Sequence, residues 1–176
     1  MTAHTQTRPA PDEFAPFYAA YLRLVPDGDV LESLEKQRKE TAKLLGGIPE
    51  ATGGHRYAPE KWSIKGVVGH VVDSERVFAY RALSIGRGDP TPLPGFDEKV
   101  WAQTANFDDR TLKELAREYG LVRDATLALL RSLPAESWSR RGTANNYSVT
   151  VRALAWIIAG HERHHLKILR ERYLKS

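Results

Sequence analysis

The sequence predicts an all-α protein: a four-helix bundle with long inter-helix connections. Three observations carry that expectation. Four stretches repeat apolar residues at helical spacing, each opened by a capping residue and closed by glycine, proline or the chain end. Strand-like alternation nowhere exceeds a few residues, and no internal repeat or Gly-rich phosphate loop interrupts the helical pattern. Two of the links between helices are long enough to permit an up-down-down-up order or a relative of it.

Residues 1 to about 13 are polar and proline-bearing and are expected to be loose, within an N-terminal arm spanning 1–24. Its aromatic part, "FAPFYAAYLRLV", reads as a short helix or a strap across the domain, because its rings need a surface to cover. The remaining residues, 25–176, read as one domain. Asp29 caps the first long helix, whose stripe is Val30, Leu31, Leu34, Gln37, Thr41, Leu44 and Leu45, and Gly46 and Gly47 end it. Ser63 caps the second, which runs to Gly86 or Gly88 with a wide apolar arc of Ile64, Val67, Val68, Val71, Val77, Phe78 and Ala82. So broad an arc implies neighbours on more than one side. The link "DPTPLPGFDEKVWAQTANF" follows, too long for a turn and suited to a pocket wall. Asp108 or Asp109 is expected to cap the third helix, with the stripe Leu112, Leu115, Tyr119, Val122, Thr126, Leu129 and Leu130. A polar link containing Trp138 and Tyr147 then leads to the fourth, from about Thr150 to Tyr173.

The chain's 176 residues suffice for one domain with a sizeable core. With no cysteine, disulfides and thiolate metal sites are excluded, so any metal must be held by His, Asp or Glu. The 26 basic against 22 acidic residues give +4, but the basic residues are dispersed along helical faces, which argues against nucleic acid as a partner. No apolar run approaches the roughly 20 residues of a membrane span, and the N-terminus has no signal-peptide core. A cytoplasmic protein with no membrane partner is expected.

The chemistry concentrates in the last helix. At roughly 100° per residue, His161 and His165 lie within about 20° of the line through Leu154, Ile158 and Ile168. Two imidazoles therefore occupy core positions, and i, i+4 spacing sets them close enough to share one ion. The alternative is a hydrogen-bonded pair beside a carboxylate. A catalytic zinc site takes three protein ligands and leaves a fourth position open. His70 is the natural third, since His164 points about 80° off the stripe and His55 sits in a glycine-bearing loop and reads as surface. Glu75 falls near the centre of an apolar arc, either as a buried partner of an arginine or as a catalytic carboxylate. Asp97 and Trp101 anchor the long link or line a pocket. Arg152 and Arg163 lie on a solvated face or receive an anionic substrate. Asp73 and Glu162 neighbour the histidines in sequence without facing them on the helix. No residue stands out as a general base.

The stretches "KWSIKGVVGHVVDSERVFAYRAL", "LPGFDEKVWAQ" and "GHERHHLKIL" together resemble the DinB and YfiT-like superfamily, over about Val25 to Tyr173. The resemblance implies a divalent metal, zinc or nickel, on His70, His161 and His165 in an open site facing a pocket, and frequent homodimers. It implies a reaction of one of two kinds. One is thiol-dependent S-transfer, joining bacillithiol or a related low-molecular-weight thiol to an electrophile, and the other is metal-dependent hydrolysis. A non-catalytic metal- or ligand-binding bundle of the stress or DNA-damage-inducible type is the alternative. Because the chain lacks cysteine, a sulfur nucleophile would arrive with a cosubstrate.

Overall fold

A computed structural model describes residues 7–175. Six α-helices are present among them: α1 (Ala19–Leu22), α2 (Val30–Gly46), α3 (Ile64–Gly86), α4 (Glu98–Thr104), α5 (Leu112–Ser132) and α6 (Val151–Ile168), the last continued by a π-wound turn over Leu169–Tyr173. The four long ones are those the periodicity marks out. Asp29 accepts a hydrogen bond from the Leu31 amide at 2.7 Å, and Ser63 Oγ from the Gly66 amide at 2.9 Å, so both expected caps are made.

The cap of α5 differs. Thr111 fills the position, accepting from the Glu114 amide, and the Glu114 carboxylate accepts in turn from the Thr111 amide, a complete capping box. Asp108 instead accepts from Ser63 Oγ and from Arg56, tying the start of α3 to the approach of α5, and Asp109 closes a 3-10 turn. A two-stranded hairpin, β1 (Arg141–Ala144) with β2 (Tyr147–Thr150), also departs from the expectation of helices alone. Its turn residues Asn145 and Asn146 both have positive φ, as a two-residue hairpin turn requires, and asparagine tolerates that region. Leu93 of the long link joins the hairpin through backbone bonds to Thr143 and Asn145, which fixes the link against the bundle.

Contacts give the helix directions. Glu75 meets Arg123, Arg76 meets Glu118 and Gly86 faces Leu133, so α3 and α5 run parallel. Arg38 pairs with Asp124 and Glu35 with Arg131, so α2 and α5 are antiparallel. His70 near the start of α3 meets His165 near the end of α6, while Phe78 lies against His161, making that pair antiparallel too. The order is up-down-down-up, with α2 and α3 at opposite corners and α5 and α6 at the other two.

The N-terminal segment is held more firmly than its polar composition suggests. Residues 1–6 of the stretch expected to be loose lie outside the described residues. From Thr7 onward, Arg8 donates to the carbonyls of Leu22 and Val25 at 2.7 Å and stacks over Trp156, while the buried Glu13 accepts from Thr150 at 2.7 Å and pairs with Arg152. Arg152 is thereby committed to the arm, and Arg163 donates to Gln37 and Ser33.

At the centre of the bundle sits a buried polar network. Arg123 of α5, fully buried, donates to both Glu75 oxygens of α3 at 2.7 and 2.8 Å and to Glu162 of α6 at 2.7 Å. Glu162 also accepts from Gln37 and Thr41 of α2 at 2.7 and 2.5 Å and from the Tyr119 hydroxyl at 2.6 Å. Burial alone would depress the Arg123 pKa, but Glu75 and Glu162 hold it well above the ordinary arginine value, so the guanidinium stays charged. All four long helices thus meet at one cation. Removing it leaves two buried carboxylates without a counter-charge, a loss on the order of 3–5 kcal/mol. The Arg123→Leu protein is expected to lose that much stability in urea unfolding, whereas a loss below about 1 kcal/mol would mean that the network does not hold the bundle.

Candidate metal centre

His70 enters the site from the second turn of α3, and His161 and His165 from one face of α6, a helical turn apart. The Nε2 atom of His161 stands 3.1 Å from Nε2 of His70 and 3.1 Å from Nε2 of His165. Each ring offers one ligand atom within 4.8 Å of the other two. A single ring nitrogen carries either one lone pair or one hydrogen, so His161 Nε2 cannot make well-aligned hydrogen bonds to both neighbours. One cation would accept all three lone pairs. Zinc–nitrogen distances of about 2.0–2.1 Å imply tetrahedral edges of about 3.3–3.4 Å, close to the spacing seen, so the donor set fits a divalent metal.

The surroundings keep the imidazoles neutral, as ligands must be. Burial lowers the pKa of His70 to about 4 against the opposing charge of Glu98, and lowers that of His165 to about 2, helped by His70 and His164. His161, the most deeply set, is also pushed well down by burial and by the other histidines. Trp62 packs on His70 with ring centroids 4.7 Å apart, Phe78 and Tyr21 stand edge-on to His161 at 5.7 and 5.4 Å, and Ser74 Oγ lies 3.5 Å from His70 Nδ1. Tyr21 reaches this position because α1 crosses α6 at Gly160, where a Cβ would come within 2.3 Å of the Tyr21 carbonyl oxygen. The expected aromatic strap is therefore the cover of the site.

The histidines form the floor of a pocket of about 310 Å³, walled by Tyr18, Arg81 and, from the long link, Gly95, Phe96 and Glu98. The other sequence candidates fall elsewhere. Glu75 is the buried arginine partner, Glu162 turns away from His161 into the same network, and Asp73 pairs with Arg76. Asp97 caps α4, and Trp101 stacks on Phe96 beside an adjoining apolar pocket. His164 is half-buried against Tyr21, off the line of the other two histidines, and His55 is exposed. Arg81 and Glu98 went unread in the sequence. A signal for Arg81 existed, since it lies about 20° from His70 around α3, inside an otherwise apolar helix.

An up-down-down-up helical bundle with three neutral histidines converging beneath a pocket defines a class of small helical proteins equipped to bind a metal. The chain belongs to the DinB superfamily, whose family model matches residues 33–169. Its fold is similar to that of YfiT from Bacillus subtilis, a probable metal-dependent hydrolase with an unusual four-helix bundle topology (18% identity, TM-score 0.67, covering 93% of this chain and 91% of that one). It is also similar to the mycothiol-dependent maleylpyruvate isomerase (15% identity, TM-score 0.67), covering 84% of this chain and spanning 60% of that protein's length. No curated protein matches the sequence. No helix among the described residues is long and apolar enough to cross a membrane.

Two outcomes are expected of the metal-free protein. Unfolded imidazoles take up protons near pH 6.5, whereas the folded cluster does not until well below that, so the unfolded state binds more protons in this window. Stability should therefore fall as pH drops from about 6.5 through about 4, the His70 value; a urea midpoint flat across that range would contradict a neutral cluster. Gly160→Ala should displace the Tyr21 strap and cost on the order of 1–3 kcal/mol, and an unchanged midpoint would show that the strap is not seated on α6.

Proposed function

We propose that the protein is a divalent-metal-dependent enzyme in which His70, His161 and His165 hold zinc or nickel. Its reaction is S-transfer from a low-molecular-weight thiol, bacillithiol or a related one, to a small electrophile, or the corresponding hydrolysis with water as nucleophile. The observation that carries the proposal is the convergence of three neutral Nε2 atoms on the floor of a pocket open to small molecules. When bound there, the metal supplies the positive charge that lets a thiol or water react as its anion near neutral pH.

The chain's own residues do the rest. Three neutral imidazoles leave the ion's charge uncompensated within the ligand set, since among the described residues no carboxylate joins the cluster. Tyr21, Trp62 and Phe78 exclude water from the faces of His161 and His70. The absence of cysteine means that the sulfur comes from a cosubstrate, for which the reduced thiols of the cytoplasm are the source. YfiT supports hydrolysis and the mycothiol-dependent isomerase supports thiol chemistry, each as a likeness of fold.

The protein loaded with zinc or nickel is expected to join bacillithiol, mycothiol or glutathione to a chlorinated dinitroarene. Sulfur bonds to the ring carbon, chloride leaves and the thiol proton passes to solvent. Chelator-treated protein should be inactive. Turnover of activated esters without thiol consumption would select the hydrolase arm, and inactivity of fully loaded protein in both assays would refute the proposal.

A further inference from the structure

Arg81 is a charged group of the pocket that nothing above uses. It is only 3% exposed, and among the described residues no carboxylate pairs with it. Arg123, the other buried arginine of the bundle interior, shows the usual compensation, with two carboxylates on one guanidinium. Among the described residues, Nη2 of Arg81 donates to the Pro94 carbonyl at 2.6 Å and the Tyr18 hydroxyl lies against the same guanidinium, which leaves most of its five N–H donors unused. Glu98, the carboxylate of the pocket, bears on Tyr21 and His70. A desolvated guanidinium with unused donors, opening into a cavity, is matched by an anion with paired oxygens.

We propose that Arg81 receives an anionic group of the substrate, a carboxylate or a group of the same charge, while another atom of that molecule lies at the three histidines. This rests on the metal-dependent function proposed above and names the class of molecule it acts on. The spacing suits a small molecule. Phe78 stands between the two ends, its ring centroid 5.9 Å from the Arg81 guanidinium carbon and 5.7 Å from the His161 ring. Along α3, Arg81 follows His70 by eleven residues, about three turns, which puts the two side chains on one line at opposite ends of the pocket. Beyond Arg81, Gly95 and Phe96, a second pocket of about 390 Å³ lined by Val77, Leu93 and Trp101 offers room for an apolar remainder.

The test uses cobalt(II)-loaded protein and a series of ω-mercapto acids with two to five methylenes, each against its amide. The thiolate-to-cobalt absorption band reads binding without any turnover. The unmodified protein should bind the best acid at least ten-fold more tightly than its amide. Arg81→Gln should reduce that preference below two-fold with amide affinity unchanged, and Arg81→Lys should keep part of it. Equal binding of acid and amide at every chain length overturns the proposal. So does an undiminished preference in Arg81→Gln, or an equal loss of both probes, which would assign Arg81 to holding Pro94. If Arg81→Gln does not fold, the acid-to-amide ratios of the unmodified and Arg81→Lys proteins decide. Failure to bind cobalt refutes the metal reading before any probe is added; calorimetry of glutarate against glutaramide on the metal-free protein then tests Arg81 with the same outcomes.

Discussion

The fork of Arg123 between Glu75 and Glu162 is the interaction on which the rest of the structure depends. Glu75 follows His70 by five residues and Glu162 adjoins His161, so the two helices that carry the histidines are tied to the same guanidinium. A helix slide of one residue would break both pairs and carry the imidazoles apart. The network has a cost in desolvation that a hydrophobic core would avoid. In return it fixes the register of α3 against α6, and register is what a three-histidine site needs. Gln37 and Thr41 extend the same constraint to α2, so the bundle closes around one charge.

The four long helices were legible because their apolar stripes are unbroken and their first residues are capping types. The three histidines were legible for a related reason: imidazoles set on or beside an apolar stripe stand out when the helix is drawn as a wheel. What escaped the sequence was pairing over long distances in the chain. Glu75 can be placed in the core by its phase, but its partner Arg123 is 48 residues on, and periodicity carries no information about which arginine will meet it. The hairpin at Asn145 and Asn146 escaped because each strand is four residues long, too short for alternation to register. Thr111 won the cap of α5 over Asp108 because Glu114 completes a box with it, while Asp108 finds Ser63 and Arg56.

The pocket shows a division of labour between rigid and added parts. Its floor is built on two packed helices whose phases are locked by the network. Apart from Arg81 of α3, its walls come from segments that a minimal bundle would not need, namely the α1 strap, the long link and the hairpin that pins the link through Leu93. Such walls, carried largely outside the four long helices, are where selectivity can reside. Arg81 and Glu98 put opposite charges on them, so the cavity presents a polarity that the three neutral histidines alone would lack.

The central claim is that histidines from two different helices make one metal site. Its most direct test is the metal content and zinc affinity of the purified protein beside those of His70→Ala, the ligand supplied across the bundle. One divalent ion per chain in the unmodified protein, and a fall of at least a hundred-fold in affinity with the fold retained by circular dichroism, is the predicted result. Full stoichiometry and unchanged affinity in His70→Ala would contradict it and return His161 and His165 to a hydrogen-bonded pair within the core.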